Sequence, residues 1–170
     1  MKYFLLSVDK KYEPPRSVKW YGILDQKTLK RSAQYQMPEH LLFSVEKHMQ
    51  MVYTDVLTYP CFMVSGMVRD VIRKYDASIY FQRIVLYDGE RKKSGAYYIP
   101  YLENVDCVRS DDLRLIHMRQ IIVYRGDMAE RVIAKTEKEN CQHIIVRMDL
   151  VESILRRGAV GIGLQEIRMI

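Results

Sequence analysis

No run of apolar residues in this chain approaches the roughly 18 that a membrane-spanning helix requires. The opening MKYFLLSVDKKY stops being apolar at Asp9 and no small-residue cleavage site follows it. Neither a membrane span nor a signal peptide is expected, and the reading is of an intracellular, cytoplasmic protein. Cysteine is nearly as scarce. Cys61, Cys107 and Cys141 stand far apart and in odd number, which suits neither a disulfide framework nor a paired zinc motif. Charge of one sign is not concentrated either. The net +6 from 27 basic and 21 acidic residues divides as +3 over residues 1–60, +2 over 61–110 and +1 over 111–170. A nucleic-acid binder gathers its excess on one face, so this spread argues against nucleic acid as the main partner.

Catalytic motifs are missing as well. Ser65, in VSGM, lacks the glycine-flanked nucleophile elbow and stands where a helix cap is expected. Asp111 and Asp112 are adjacent and cannot take the separated roles of an acid and base pair. Of the four histidines His40, His48, His117 and His143, only His143 has a candidate co-ligand beside it. Cys141 lies two residues before it on the same face of a strand, and His117 or Cys107 would have to supply a third ligand. Zinc sites pair their ligands more densely, and half-buried strand residues account for the same pattern. No catalytic residue, metal or cofactor is assigned, and the chain is not expected to be an enzyme.

What is present is a 170-residue chain with 48% hydrophobic residues, enough for one domain over residues 1–170. Strand-like runs rich in Val, Ile, Tyr and Phe cover residues 3–8, 47–53, 61–64, 79–87, 96–101, 120–124, 141–147 and 161–167. Short helices are expected at 28–36 and 39–46. DGERKKSG, between two of the runs, reads as a hairpin tip with exposed lysines.

Two further helices come from an internal repeat. Residues 61–84 align with 144–167 at a constant offset of 83, with identities at Val68/Val151, Arg73/Arg156, Ile79/Ile162, Gln82/Gln165 and Ile84/Ile167. Beneath the identities lies a shared stripe: Met67, Val68, Val71 and Ile72 match Leu150, Val151, Ile154 and Leu155, the i, i+1, i+4, i+5 spacing of a helix buried on one face. Each copy runs strand, helix, strand. Ser65 is placed to cap the first helix, and Asp149 with Glu152 reads as a capping box for the second. The fold class is therefore α+β, a mixed or antiparallel sheet with two short helices supplied by the repeat.

GAVGIG, residues 158–163, looks at first like a phosphate loop. Such a loop needs a strand before it and a helix after it, and here the order is reversed. Gly158 is read as a left-handed helix end behind Arg156 and Arg157, and Gly161 and Gly163 as alternate strand positions admitting a close neighbour.

The repeated units, the ending RRGAVGIGLQEI and the stretch GAYYIPYLENVDCVRSD after the first repeat resemble the bacterial immunity proteins of polymorphic toxin systems, immunity family eleven. The resemblance covers residues 60–170. It implies a small intracellular protein that binds a cognate toxin and neutralises it by stoichiometric occlusion, a role in bacterial competition. No active-site residues carry over from the family. The positive net charge points to a toxin with an acidic or mainly apolar surface, unless a local patch at Asp111 and Asp112 dominates. For the toxin-binding face, the residues picked out are Trp20, Tyr21, Arg91, Lys92, Asp111 and Asp112, because aromatics and opposed charges anchor protein interfaces. The alternative is a nucleic-acid-binding accessory protein, in which Trp20 and Tyr21 would stack on single-stranded bases among the cations of KWYGILDQKTLKR.

Overall fold

The computed structural model describes residues 1–25, 27–106, 122, 123, 125–128, 130–138 and 141–169. In chain order the elements are β1 (Tyr3–Val8), β2 (Leu41–Ser44), β3 (Val56–Leu57), β4 (Met63–Ser65), α1 (Gly66–Tyr75), β5 (Phe81–Asp88), β6 (Lys93–Pro100) and β7 (Ile122–Val123). There follow α2 (Arg125–Met128), β8 (Ile133–Lys138), β9 (Cys141–Arg147), α3 (Met148–Leu155), β10 (Ile162–Glu166) and β11 (Arg168–Met169). The class is α+β. One sheet has the order β10-β1-β9-β8 and is antiparallel throughout. A second, β2-β5-β6-β4-β3, is mixed because β2 runs parallel to β5. The pair β11-β7 is parallel.

β1 shows how the sequence places a strand between two cores. Phe4, Leu6 and Val8 face the layer that holds both long helices, while Tyr3 and Leu5 face the opposite one, so a run apolar on both sides sits at the centre of its sheet. The helices lie between the two sheets. Val68, Val71 and Ile72 of α1 and Leu150, Val151 and Ile154 of α3 are buried in one core with Ile144 and Val146 from one sheet and Val56 and Val64 from the other. Tyr75 ties them together, its hydroxyl 2.9 Å from the Asp149 carbonyl and 2.6 Å from Ser153 Oγ. The outer face of the five-stranded sheet is covered by the chain before it, with Leu24 and Leu29 packed on Phe43, Met63, Ile84 and Leu86.

Both copies of the repeat have the strand, helix, strand order, and the topology they share goes further. β4 and β5 each pair antiparallel with β6, and β9 and β10 each pair antiparallel with β1. Each unit is therefore two parallel strands split by one antiparallel strand. In the first unit the splitting strand follows immediately. In the second it is the first strand of the chain.

Several sequence expectations give way to tertiary context. Residues 47–53 form no strand beyond a bridge between Met51 and Glu13; the carbonyls of His48, Met49 and Met51 accept from the Arg91 guanidinium instead. Residues 39–46, expected as a helix, contain β2, because Phe43 reaches the core and the backbone pairs with β5. Residues 28–36 hold only a single tight turn, Arg31–Ala33. Asp25 Oδ1 accepts from the Thr28 N–H at 3.0 Å and Thr28 Oγ1 donates to the Ile23 carbonyl at 2.7 Å, local bonds that compete with a helix.

At the helix ends, Ser65 Oγ accepts from the Val68 N–H at 3.3 Å, as its position predicts. The capping box does not form. Arg147 is the cap residue of α3 and makes no side-chain cap bond, while Asp149 lies inside the helix and binds the Arg147 fork through both oxygens at 2.8 Å. Gly158 adopts φ +75° after α3, the left-handed end expected of it. Gly161 stands before β10 rather than in it, at φ +76°, and a Cβ there would come within 2.3 Å of Thr54 Cγ2.

Candidate functional site

The segment carrying Trp20 and Tyr21 is pinned on both sides. Upstream, the Val18 N–H donates to the Ser44 carbonyl and the Glu46 N–H to the Arg16 carbonyl. Downstream, the N–H groups of Ile23 and Leu24 both donate to the Trp20 carbonyl, and Leu24 is buried in the core at 2% exposure. Lys19 at φ 56° and Gly22 at φ 76° bend the backbone around the pair. The result is a fixed aromatic platform. Trp20 is half-buried and its indole N–H donates to the Tyr59 hydroxyl at 3.1 Å. Tyr21 stacks on Trp20 with ring centres 4.1 Å apart and planes 23° apart, and 76% of Tyr21 is exposed.

Tyr59 extends the platform. Its ring meets Trp20 edge-on at 5.8 Å, and the Arg16 guanidinium lies over it at 4.6 Å, a cation–π contact of roughly 0.5–1 kcal/mol at an exposed site. Beside Arg16 opens a cleft of about 210 Å³ whose walls include Asp9, Lys10, Tyr12, Glu13, Arg16 and Tyr59. Trp20 and Tyr21 stand out in the sequence as aromatics among cations. Arg16 and Tyr59 do not, since PPRS reads as an extended turn and Tyr59, 39 residues from Trp20 in the chain, meets it only in the fold.

The other sequence candidates are placed elsewhere. Arg91 and Lys92 lie in the β5–β6 turn, where Asp88 Oδ1 accepts from the N–H groups of Glu90 and Arg91 and Lys92 sits at φ 51°. Lys92 is exposed. Arg91 is exposed too, but its guanidinium is committed to the carbonyls of His48, Met49 and Met51, with Asp88 3.9 Å away. That side chain holds a loop in place. Neither residue hydrogen-bonds, ion-pairs or stacks with Trp20 or Tyr21. Asp111 and Asp112 lie outside the described residues.

The remaining chemistry-bearing groups are spread through the cores. The Cys61 thiol is buried, and burial pushes it up to about 12, which keeps it protonated and unreactive. Lys135 is buried on β8 with its ammonium 3.4 Å from the Leu29 carbonyl and 3.9 Å from Glu137; burial lowers its pKa. His143 on β9 is half-buried, which lowers its pKa. Of the partners suggested for it, Cys107 and His117 lie outside the described residues. Among the described residues no three His, Cys, Asp or Glu side chains gather as a metal site, and no helix is long and apolar enough to cross a membrane. In comparisons with known proteins the chain matches no family model and no curated sequence, so a functional reading has to be carried by its own residues.

Proposed function

We propose that this chain is an immunity protein that binds a cognate bacterial toxin and neutralises it by one-to-one occlusion, without turnover. One observation carries the reading: Tyr21, three-quarters exposed, is stacked on a Trp20 whose own ring is locked by a hydrogen bond and by the core. An exposed aromatic costs little ordering entropy on binding when its neighbour already fixes it, and Trp, Tyr and Arg are the side chains that concentrate binding energy. Arg16 and Tyr59 continue the same surface. A second reading, a nucleic-acid-binding accessory protein, draws on the same stack together with Lys10, Lys11, Arg16 and Lys19 in the adjoining segment.

The two substitutions at the platform differ in what they test. Tyr21→Ala removes an exposed ring and is expected to weaken toxin binding by about 2 kcal/mol, measured by calorimetry, with little change in melting temperature. Trp20→Ala also removes the Tyr59 hydrogen bond and a core contact, so it is expected to lower stability as well. Undiminished toxin binding by Tyr21→Ala would remove the platform from the interface. Binding to a single-stranded oligonucleotide that weakens steeply with added salt, in a chain that binds no toxin, would favour the second reading.

A further inference from the structure

We propose that Arg16, held on Tyr59 at the edge of the cleft, is a socket for a carboxylate of the bound protein, so that the partner's docking segment is acidic. The inference rests on the protein-binding reading and names the chemistry of the group that platform receives. It follows from a contrast with the arginines that brace the fold. Arg31 and Arg131 share the Glu103 carboxylate at 2.6 and 2.9 Å, Arg147 forks onto Asp149, and Arg91 holds three carbonyls. Each of these guanidiniums has an acceptor within the fold. Arg73, Arg83 and Arg168 are exposed and, like Arg16, lack an acceptor among the described residues, but none of them lies on an aromatic ring at this cleft.

Arg16 has a support but no acceptor. Its guanidinium lies on the Tyr59 ring at 4.6 Å, and among the described residues its side chain makes no hydrogen bond or ion pair. The contact with the ring uses none of the guanidinium's N–H donors, so the fork that fits a carboxylate through two parallel bonds is left without an acceptor among the described residues. The support is itself fixed, because the Tyr59 hydroxyl accepts from Trp20. Lys10, in the wall of the same cleft, adds a second cation without an ion pair among the described residues, and the cleft of about 210 Å³ has room for a side chain rather than a domain.

The other charges facing the cleft choose between acidic partners. Asp9 and Glu13 also line it. A phosphodiester strand, charged at every nucleotide, would have to pass both carboxylates, whereas a single Asp or Glu side chain can enter beside Arg16 and Lys10. Protein carboxylate is therefore favoured over nucleic acid.

The chain's one tryptophan is Trp20, which makes its fluorescence a reporter placed next to the socket. The experiment titrates the full chain with a synthetic heptapeptide bearing Asp and Glu around a single Phe, and with its Asn and Gln counterpart. A saturable Trp20 response is expected for the acidic peptide, with the amide peptide about tenfold weaker or more. Arg16→Gln should lose the response to a similar degree, and Arg16→Lys should lose most of it because an ammonium lacks the fork; far-UV circular dichroism checks that both variants fold. No saturable response, an equal response to the amide peptide, an unchanged response in Arg16→Gln, or a stronger response to oligothymidylate each overturns the proposal. A toxin-neutralisation assay separates the two levels. Arg16→Gln that protects as well as wild type ends the socket and leaves occlusion standing, while a wild-type chain that binds no toxin ends occlusion and leaves the peptide titration to decide the socket.

Discussion

The two strand-helix-strand units reach the same architecture by different local means. α1 runs for ten residues behind a serine cap and ends at Asp76 in extended backbone; α3 runs for eight, has no side-chain cap, and ends at Arg156 in helical backbone, with the left-handed Gly158 two residues beyond. What they share is the centre of the stripe, where Val68 and Val71 are buried like their counterparts Val151 and Ile154, and the pairing of both flanking strands with a third. At the stripe's ends the expected match fails, since Ile72 is buried but Leu155 is 45% exposed, and Leu150 is buried but Met67 only partly so. The difference shows that packing of the apolar face defines the unit and that end chemistry is interchangeable. It also shows a contrast in closure. The first unit is completed by β6, which follows it directly, whereas the second depends on β1 from the far end of the chain, a pairing that has to overcome the entropy of closing a long loop.

Introducing a charge into both stripes is the largest way to break the comparison. Val71→Asp and Ile154→Asp each bury an unpaired carboxylate at a position 2% exposed, and each is expected to cost several kcal/mol in denaturant unfolding. If the helices are equivalent in packing, the two losses are of similar size; a near-neutral result for either would break the equivalence. Next in size is the glycine joint of the second unit, which has no counterpart in the first. Gly161→Ala must place a Cβ against Thr54 from a left-handed backbone, whereas Gly158→Ala meets only open space at a similar φ. The first is expected to cost about 2–3 kcal/mol and the second about 1 kcal/mol. Equal losses would show that backbone strain, and not the Thr54 contact, sets the cost. The smallest effects sharpen the difference in capping. Ser65→Ala should cost about 1 kcal/mol, and Asp149→Ala less, since its ion pair with Arg147 is 41% exposed on the carboxylate side.

How much of this was readable beforehand depended on whether a segment's structure is set by its own residues. β1 and β9 match their apolar runs residue for residue, and both helices follow from stripe spacing. β8 escaped because IAKTEK looks polar; it is a strand through its register with β9, with Lys135 and Thr136 buried by neighbours far along the chain. The stretch between β1 and β3 is held by side chains that reach backbone over long distances. Gln82 Nε2 donates to the Pro38 carbonyl, Arg91 to residues 48–51, and the Tyr97 hydroxyl to the Thr54 carbonyl, none of which a local pattern encodes. The candidate site divides the same way. Trp20 and Tyr21 were visible by composition, whereas the support from Tyr59, the stacked Arg16 and the structural duty of Arg91 emerge only when distant segments meet.

Occlusion is tested most directly by counting molecules. A fixed amount of the cognate toxin is titrated with the purified chain and residual toxin activity is followed to completion. Protection should rise linearly and saturate at one molecule per toxin, with the complex isolated at that ratio by size-exclusion chromatography. Protection by a small fraction of an equivalent, without a stable complex, would contradict occlusion and point to turnover.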